Sequence, residues 1–275
     1  MTEDGGSTVR AWELPIETGE VPESGTEFDA IVVGGGPGGS SAAGYLAKSG
    51  ARVLLIEKDV WPRDKICGDA VGGKSLSHVN ELGVKADLES TPHFRVTGIV
   101  FSSPKGNTVR VPLPEEDVQR LEAGYALPRA QFDSLLFNRC QAMVREADGL
   151  VIQGGEVRSV LFDDGAGGED PGEGAGDARH ASGVVVRIGG RSGEERTYYT
   201  RELVGAAGYR CPVARSVVES SYNEVMMDRD HYCGGYREYW QNVKGCKTNV
   251  GDIEIHFVDS VIPGYFWLFP VSENV

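Results

Sequence analysis

Three glycines with GxGxxG spacing, Gly34, Gly36 and Gly39, follow the apolar run FDAIVV (28–33) and precede the small-residue stretch SSAAGYLAKSG. In this context Gly34 allows a tight turn, Gly36 lets backbone amides approach a pyrophosphate, and Gly39 permits close packing of a helix on the turn. The amino terminus of that helix then favours phosphate charge. Gly38, inside the same turn, belongs with these cofactor-binding positions. Glu57 stands 18 residues after Gly39, at the end of a second apolar run, ARVLLIEK (51–58). Its carboxylate is placed to accept hydrogen bonds from a ribose diol, and Lys58 directly after it is counted with the same group. A glycine turn alone is a common structural device. The acid in register with strand, helix and strand directs this one to the ADP half of a dinucleotide.

Those residues need rigid elements to place them. FDAIVV reads as a buried parallel strand, SSAAGYLAK as a helix stopped by Gly50, and ARVLLIEK as the second strand of one right-handed βαβ crossover. From Arg129 to Ala147 the residues Phe132, Leu135, Leu136, Met143, Val144 and Ala147 recur at helical spacing, with Gly149 as a stop. Cys140 within that pattern reads as a small buried hydrophobe. Downstream, LVIQ, EVRSVLF, GVVVRI, RTYYTREL and LVGAAG alternate with turn residues and read as strands. Two further strand-rich blocks, 98–114 and 232–270, are expected to pair into a separate antiparallel sheet.

At 275 residues the chain buries roughly three quarters of its unfolded surface, enough for a core without disulfides or metals. Five cysteines, an odd number with no CxxC pair, argue for reduced thiols rather than a disulfide framework or a zinc site. His78, His93, His180, His231 and His256 show no metal-ligand spacing and read as ordinary polar or core residues. The formal charge of -14 is unevenly spread: residues 1–27 and 163–177 each carry a net -6. Both stretches are Gly-, Pro- or Ser-rich and read as solvated, so the body is nearly neutral and nucleic-acid binding is not expected. The first residues lack a secretory leader and no apolar run reaches membrane-spanning length, giving an expectation of a cytoplasmic protein.

The segment WPRDKICGDAVGG (61–73) reads by itself as a polar loop with turn glycines. Taken with the glycine unit, PRAQFDSLL and PGYFWLFPVSEN, it resembles the geranylgeranyl reductase family of FAD-dependent oxidoreductases from about residue 28 onward. The resemblance implies FAD as cofactor, with NAD(P)H or another reductant as electron donor. It also implies that Arg63, Cys67, Gly68 and Asp69 of RxxxCGD lie along the flavin, and that Arg129 of RxxFD contacts the FAD phosphates or ribityl chain. Tyr265, Trp267 and Phe269 match the YxWxFP motif that lines the substrate side, where halogenases of the same scaffold carry WxWxIP. Two positions depart from the pattern: Ala207 stands where the family has an aspartate, and Cys211 where a serine is usual. The sequence also stops at Val275, before the GD motif that closes over the flavin in such relatives, so a chain incomplete at its carboxyl end is expected.

The expected architecture is α/β: a Rossmann-type FAD/NAD(P)-binding domain interleaved with an antiparallel β-sheet substrate domain. The expected boundaries are an acidic tail at 1–27, FAD-binding parts at 28–95 and 127–215 with an acidic loop at 163–180, and substrate-sheet parts at 96–126 and 216–275. The implied activity is reduction of carbon-carbon double bonds in prenyl chains of isoprenoid lipids, with peripheral membrane contact. Cys67 is the candidate acid, because an ordinary thiol keeps its proton at neutral pH. The rival readings are an FAD monooxygenase or halogenase, and an incomplete nucleotide-binding chain without activity.

Overall fold

The computed structural model describes residues 20–119, 123–162, 181–190, 193–221, 226, 233–243 and 251–271. In chain order its elements begin β1 (Glu27–Val33), α1 (Pro37–Lys48), β2 (Val53–Glu57), β3 (Ala70–Gly72), α2 (Ser75–Glu81) and α3 (Lys85–Ser90). There follow β4 (Phe94–Arg95), β5 (Gly98–Ser102), β6 (Thr108–Pro112), α4 (Glu115–Gln119), β7 (Gly124–Ala126) and α5 (Arg129–Glu146). The last are β8 (Leu150–Gln153), β9 (Gly155–Phe162), β10 (Ala181–Ile188), β11 (Glu194–Gly205), α6 (Pro212–Ser221), β12 (Asp252–His256) and β13 (Phe266–Leu268). The expected acidic tail, up to residue 19, and the acidic loop 163–180 lie outside the described residues.

The chain forms two compact units. One comprises Pro15–Arg63 and Leu136–Tyr232 and holds a six-stranded sheet in the order β8-β2-β1-β11-β10-β9. Strands β8, β2, β1 and β11 are parallel, and β10 and β9 continue the sheet antiparallel. Strands β8, β2 and β1 are largely buried on both faces, which is why they read as apolar runs, whereas β11 keeps exposed polar positions. Alternation along the strands divides them between two cores. Ile31, Val33, Leu54 and Ile56 pack with Tyr198, Cys211 and Val213 on one face. Val32, Val53 and Leu55 pack with Ala43, Ala47, Trp61, Phe137 and Val144 on the other. Each such aliphatic side chain stabilises the fold by about 1.5–3 kcal/mol. Cys140 is fully buried, and burial pushes its thiol up to about 12, so it acts as core.

The segment RTYYTREL and the start of LVGAAG, read separately from the sequence, belong to the single 12-residue strand β11, which ends at Gly205. Its first half pairs antiparallel with β10 (Ile188↔Glu194 to Gly183↔Tyr199). Its second half pairs parallel with β1 (Glu27↔Tyr199 to Val33↔Gly205). One continuous strand satisfies both neighbours, so no turn is needed between them.

The other unit includes the described residues within Asp64–Leu135 and Cys233–Val275. It holds a four-stranded sheet, β13-β12-β5-β6, and a three-stranded sheet, β3-β7-β4. The hairpins β5–β6 and β12–β13 are antiparallel, but they join through a parallel pairing of β12 with β5, so the sheet expected to be antiparallel is mixed. Val96, Ala126 and Ile253 form its core with Phe269 and Ile99 packed against them.

Helix α1 sets the tightest tolerance in the nucleotide unit. A Cβ built on Gly39 would lie 1.6 Å from the Gly34 carbonyl oxygen, whereas one built on Gly38 meets nothing within 4 Å. Gly39→Ala is therefore expected to cost at least about 2 kcal/mol, while Gly38→Ala gains about 0.5–1 kcal/mol from helix propensity. Urea midpoints of the two variants check this, and a Gly39→Ala midpoint equal to wild type would overturn the close-packing argument.

Candidate functional site

The glycine turn begins where the Gly34 amide donates to the Ile56 carbonyl at 2.7 Å, stitching the end of β1 to β2. Gly34 has φ +107°, and a Cβ there would lie 2.6 Å from the Ala206 backbone, so both conformation and space require glycine. Gly36 caps α1 without a side-chain hydrogen bond, Pro37 opens the helix, and no acid stands in the first turn. The helix thus sets no acid of its own against its first-turn amides, the condition in which an anion is stabilised there.

Glu57 is 2% exposed. Its Oε2 accepts from the Gly35 amide at 2.7 Å and from Arg63 Nη2 at 3.1 Å, and its Oε1 accepts from the Asp59 amide at 3.0 Å. A carboxylate offers about four lone-pair sites, and these three bonds leave Oε1 with room for a hydroxyl. Arg63 lies over the Trp61 ring at 4.6 Å, and its Nη2 stands 3.6 Å from the position of a Gly36 Cβ. Trp61 in turn stacks on Phe137 at 5.0 Å and donates its amide to Gln153 at 2.9 Å. The structure therefore gathers Gly34, Gly36, Gly38, Gly39, Glu57 and Arg63 around one turn. Lys58 is exposed beside it. The open backbone at Gly36 and Gly38 and the remaining capacity of Oε1 fit the phosphates and ribose of an ADP moiety.

Asp69 organises the second group of expected residues, in the other unit. It is 3% exposed. Its Oδ1 accepts from the Arg129 amide at 2.9 Å and the Tyr239 hydroxyl at 2.7 Å, with Arg237 Nη1 at 3.5 Å. Burial pushes the Asp69 carboxyl above its usual range, opposed by the Tyr239 hydrogen bond, the Arg237 charge and the Arg129 amide. Burial and the adjoining carboxylate likewise push the Tyr239 phenol upward. The Arg129 guanidinium is held by Asp133, one helical turn on, at 2.6 and 3.0 Å, and reaches the Gly68 carbonyl at 3.4 Å.

Cys67 is half-buried. A Cβ on Gly68 would approach the Phe269 ring to 3.2 Å, so glycine lets that ring settle on the loop. From Phe269 the aromatic rings continue to Trp267 at 6.3 Å and on to Tyr265 at 6.0 Å, which is 50% exposed. Residues 265, 267 and 269 share one face of an extended segment. Cys67, Gly68, Asp69, Arg129 and the three aromatics thus lie within one unit. Arg237 and Tyr239 escaped the sequence reading. They contact Asp69 across about 170 residues of chain, and an arginine between tyrosines in YREYW carries no spacing signal. Cys211, at the departure from the family pattern, is buried against Gly205 and Val213.

The FAD binding domain family matches residues 27–164, half of the chain. The chain is 26% identical over 248 residues to the menaquinone reductase of Mycobacterium tuberculosis, covering 90% of this chain and 53% of that protein. It is 30% identical over 261 residues to the digeranylgeranylglycerophospholipid reductase of Methanocella arvoryzae, covering 90% and 55%. The chain thus spans about half the length of the curated relatives it matches. Among solved structures, the myxobacterial chondrochloren halogenase matches with a TM-score of 0.63 at 25% identity, over 92% of this chain and 51% of that one. A geranylgeranyl bacteriochlorophyll reductase-like protein from Thermoplasma acidophilum shares the fold, with a TM-score of 0.62 at 22% identity, over 90% and 55%. The glycine cradle, the buried acid and the matched domain agree: the chain belongs to the FAD binding domain family, and its resemblance to FAD-dependent reductases of the geranylgeranyl type holds.

Proposed function

We propose that the chain works as part of an FAD-dependent reductase of carbon-carbon double bonds in the prenyl chains of isoprenoid lipids. The observation that carries the reading is the aromatic series Phe269, Trp267 and Tyr265 leading away from the Cys67 loop, an apolar wall suited to a hydrocarbon chain. The names of the digeranylgeranylglycerophospholipid reductases support it. The glycine amides, Glu57 and Arg63 hold the ADP half of FAD, and Arg129 and Asp69 fix the loop that carries Cys67. Bound FAD supplies hydride chemistry to one alkene carbon, reloaded by NAD(P)H or another reductant. Cys67 holds the proton destined for the other carbon, and the aromatic wall orients the chain and excludes water. A prenyl lipid brings the protein to a membrane surface from the cytoplasmic side. Among the described residues no helix is long and apolar enough to cross a membrane.

The halogenase match favours a second reading, a flavin-dependent monooxygenase or halogenase. Tyr265 and Phe269, where halogenases carry tryptophan and isoleucine, weigh toward the reductase.

Two outcomes are expected. Glu57→Ala weakens binding of both FAD and ADP at least tenfold by calorimetry, since the ribose acceptor and the anchor of the Gly35 amide are both lost. Equal affinity in wild type and variant removes Glu57 from the site. In FAD-loaded protein, Cys67→Ala slows flavin reoxidation by a geranylgeranyl lipid by about 100- to 10,000-fold, the usual range for a general acid. Unchanged turnover reduces Cys67 to a packing residue, and reoxidation by oxygen with halide incorporation instead selects the second reading.

A further inference from the structure

The segment 233–243 has neither helix nor strand in its described residues, yet it runs against the Cys67 loop. A Cβ on Gly235 would touch Ile66 at 3.5 Å. The Arg237 side chain is only 5% exposed. Its Nη1 donates to the Lys65 carbonyl at 2.9 Å and the Cys67 carbonyl at 3.4 Å, and its Nη2 pairs with Asp64. The Arg237 guanidinium also lies over the Tyr239 ring at 4.7 Å, and Tyr239 donates to Asp69. From the other side Arg129 holds the Gly68 carbonyl and Asp69.

The loop at 64–69 belongs to no helix or strand, so its carbonyls must find partners elsewhere. Two guanidinium groups supply three of these partners, Arg237 for the carbonyls of residues 65 and 67 and Arg129 for that of residue 68, while the Leu127 amide donates to the carbonyl of residue 69. The planar fork of arginine suits this task, since one rigid group satisfies several acceptors at once. The carbonyls of Cys67 and Gly68 are thereby held from two sides, while Cys67 stays half-exposed.

We infer that Arg237 is a positioning residue for Cys67, and that Tyr239, through Asp69, keeps Arg237 in place. This rests on the reading of Cys67 as the proton-holding group. The segment 233–243 is a strap, brought from far along the chain, that sets where the thiol stands. A displacement of about 1 Å at a reacting group costs on the order of 100-fold in rate, so the strap acts on turnover without touching substrate.

The test joins a flavin-independent readout to a kinetic one. Lys65 is exposed and its carbonyl, the one trypsin must attack, is held by Arg237. In native-state proteolysis followed by mass spectrometry, Arg237→Gln is expected to speed cleavage after Lys65 at least tenfold. Tyr239→Phe, which keeps the ring and loses the hydroxyl, is expected to speed it about threefold. In FAD-loaded protein, Arg237→Gln is expected to lower kcat about 100-fold with KM for a geranylgeranyl lipid within twofold of wild type. Arg237→Lys, which keeps the charge but not the fork, recovers part of that loss. Unchanged cleavage after Lys65 in both Arg237→Gln and Tyr239→Phe overturns the strap. Faster cleavage with kcat intact overturns the positioning role. If Cys67→Ala leaves turnover intact while Arg237→Gln still lowers kcat and frees Lys65, the strap stands and the assignment of Cys67 is what fails.

Discussion

The nucleotide unit depends on one close approach, the passage of helix α1 over the carbonyl of Gly34. With 1.6 Å between that oxygen and the place of a Gly39 Cβ, the helix sits nearer the strand-turn backbone than any side chain permits. This proximity aims the first-turn amides at the space above Gly36 and Gly38. It also brings the Gly35 amide within 2.7 Å of Glu57, so the acid at the end of β2 and the turn after β1 are one construction. The small buried residues of α1, Ser40, Ala43, Gly44 and Ala47, continue the same contact down the helix. Larger side chains there would lift the helix and misdirect the amides.

The other unit solves a different problem, holding an irregular loop still. Its means are charge-assisted bonds in a nearly dry setting: Asp69 at 3% exposure, with donors from Arg129, Tyr239 and Arg237. Buried ions of this kind are costly to strip of water and are retained where their partners satisfy them. The upward shift of Asp69 shows that burial outweighs the donors. Two of the donors, Arg237 and Tyr239, come from about 170 residues along the chain, which makes the loop sensitive to changes far from it in the sequence.

The legible part of the fold and site was the local part. Strand, glycine turn, helix, strand and acid fall within residues 27–57, and period, spacing and glycine chemistry are all short-range signals. The helix at 129–146 was readable for the same reason, and so was the burial of Cys140. Strand β11 was misread as two because hydrophobic alternation records burial and says nothing of a strand changing partners midway. Arg237 and Tyr239 were invisible because their partners, Asp64, Lys65, Cys67 and Asp69, lie 168 to 173 residues away. Only the closed fold makes that segment meaningful. Arg63 shows an intermediate case. The resemblance grouped it with RxxxCGD, and the structure sets it on Glu57 at 3.1 Å.

Strand β1 lies between β2 and β11, and its second neighbour is delivered only at residues 199–205. During synthesis the whole glycine motif leaves the ribosome with one edge of β1 still unpaired, and about 160 further residues must follow before that edge closes. Pairings so distant close slowly, because the intervening chain must first be brought together. A nascent fragment ending anywhere before β11 thus presents a bare apolar strand edge, the kind of surface that recruits holding factors or adheres to other unfinished chains. The dinucleotide motif thus cannot complete its own sheet pairing until a strand far downstream of it has been made.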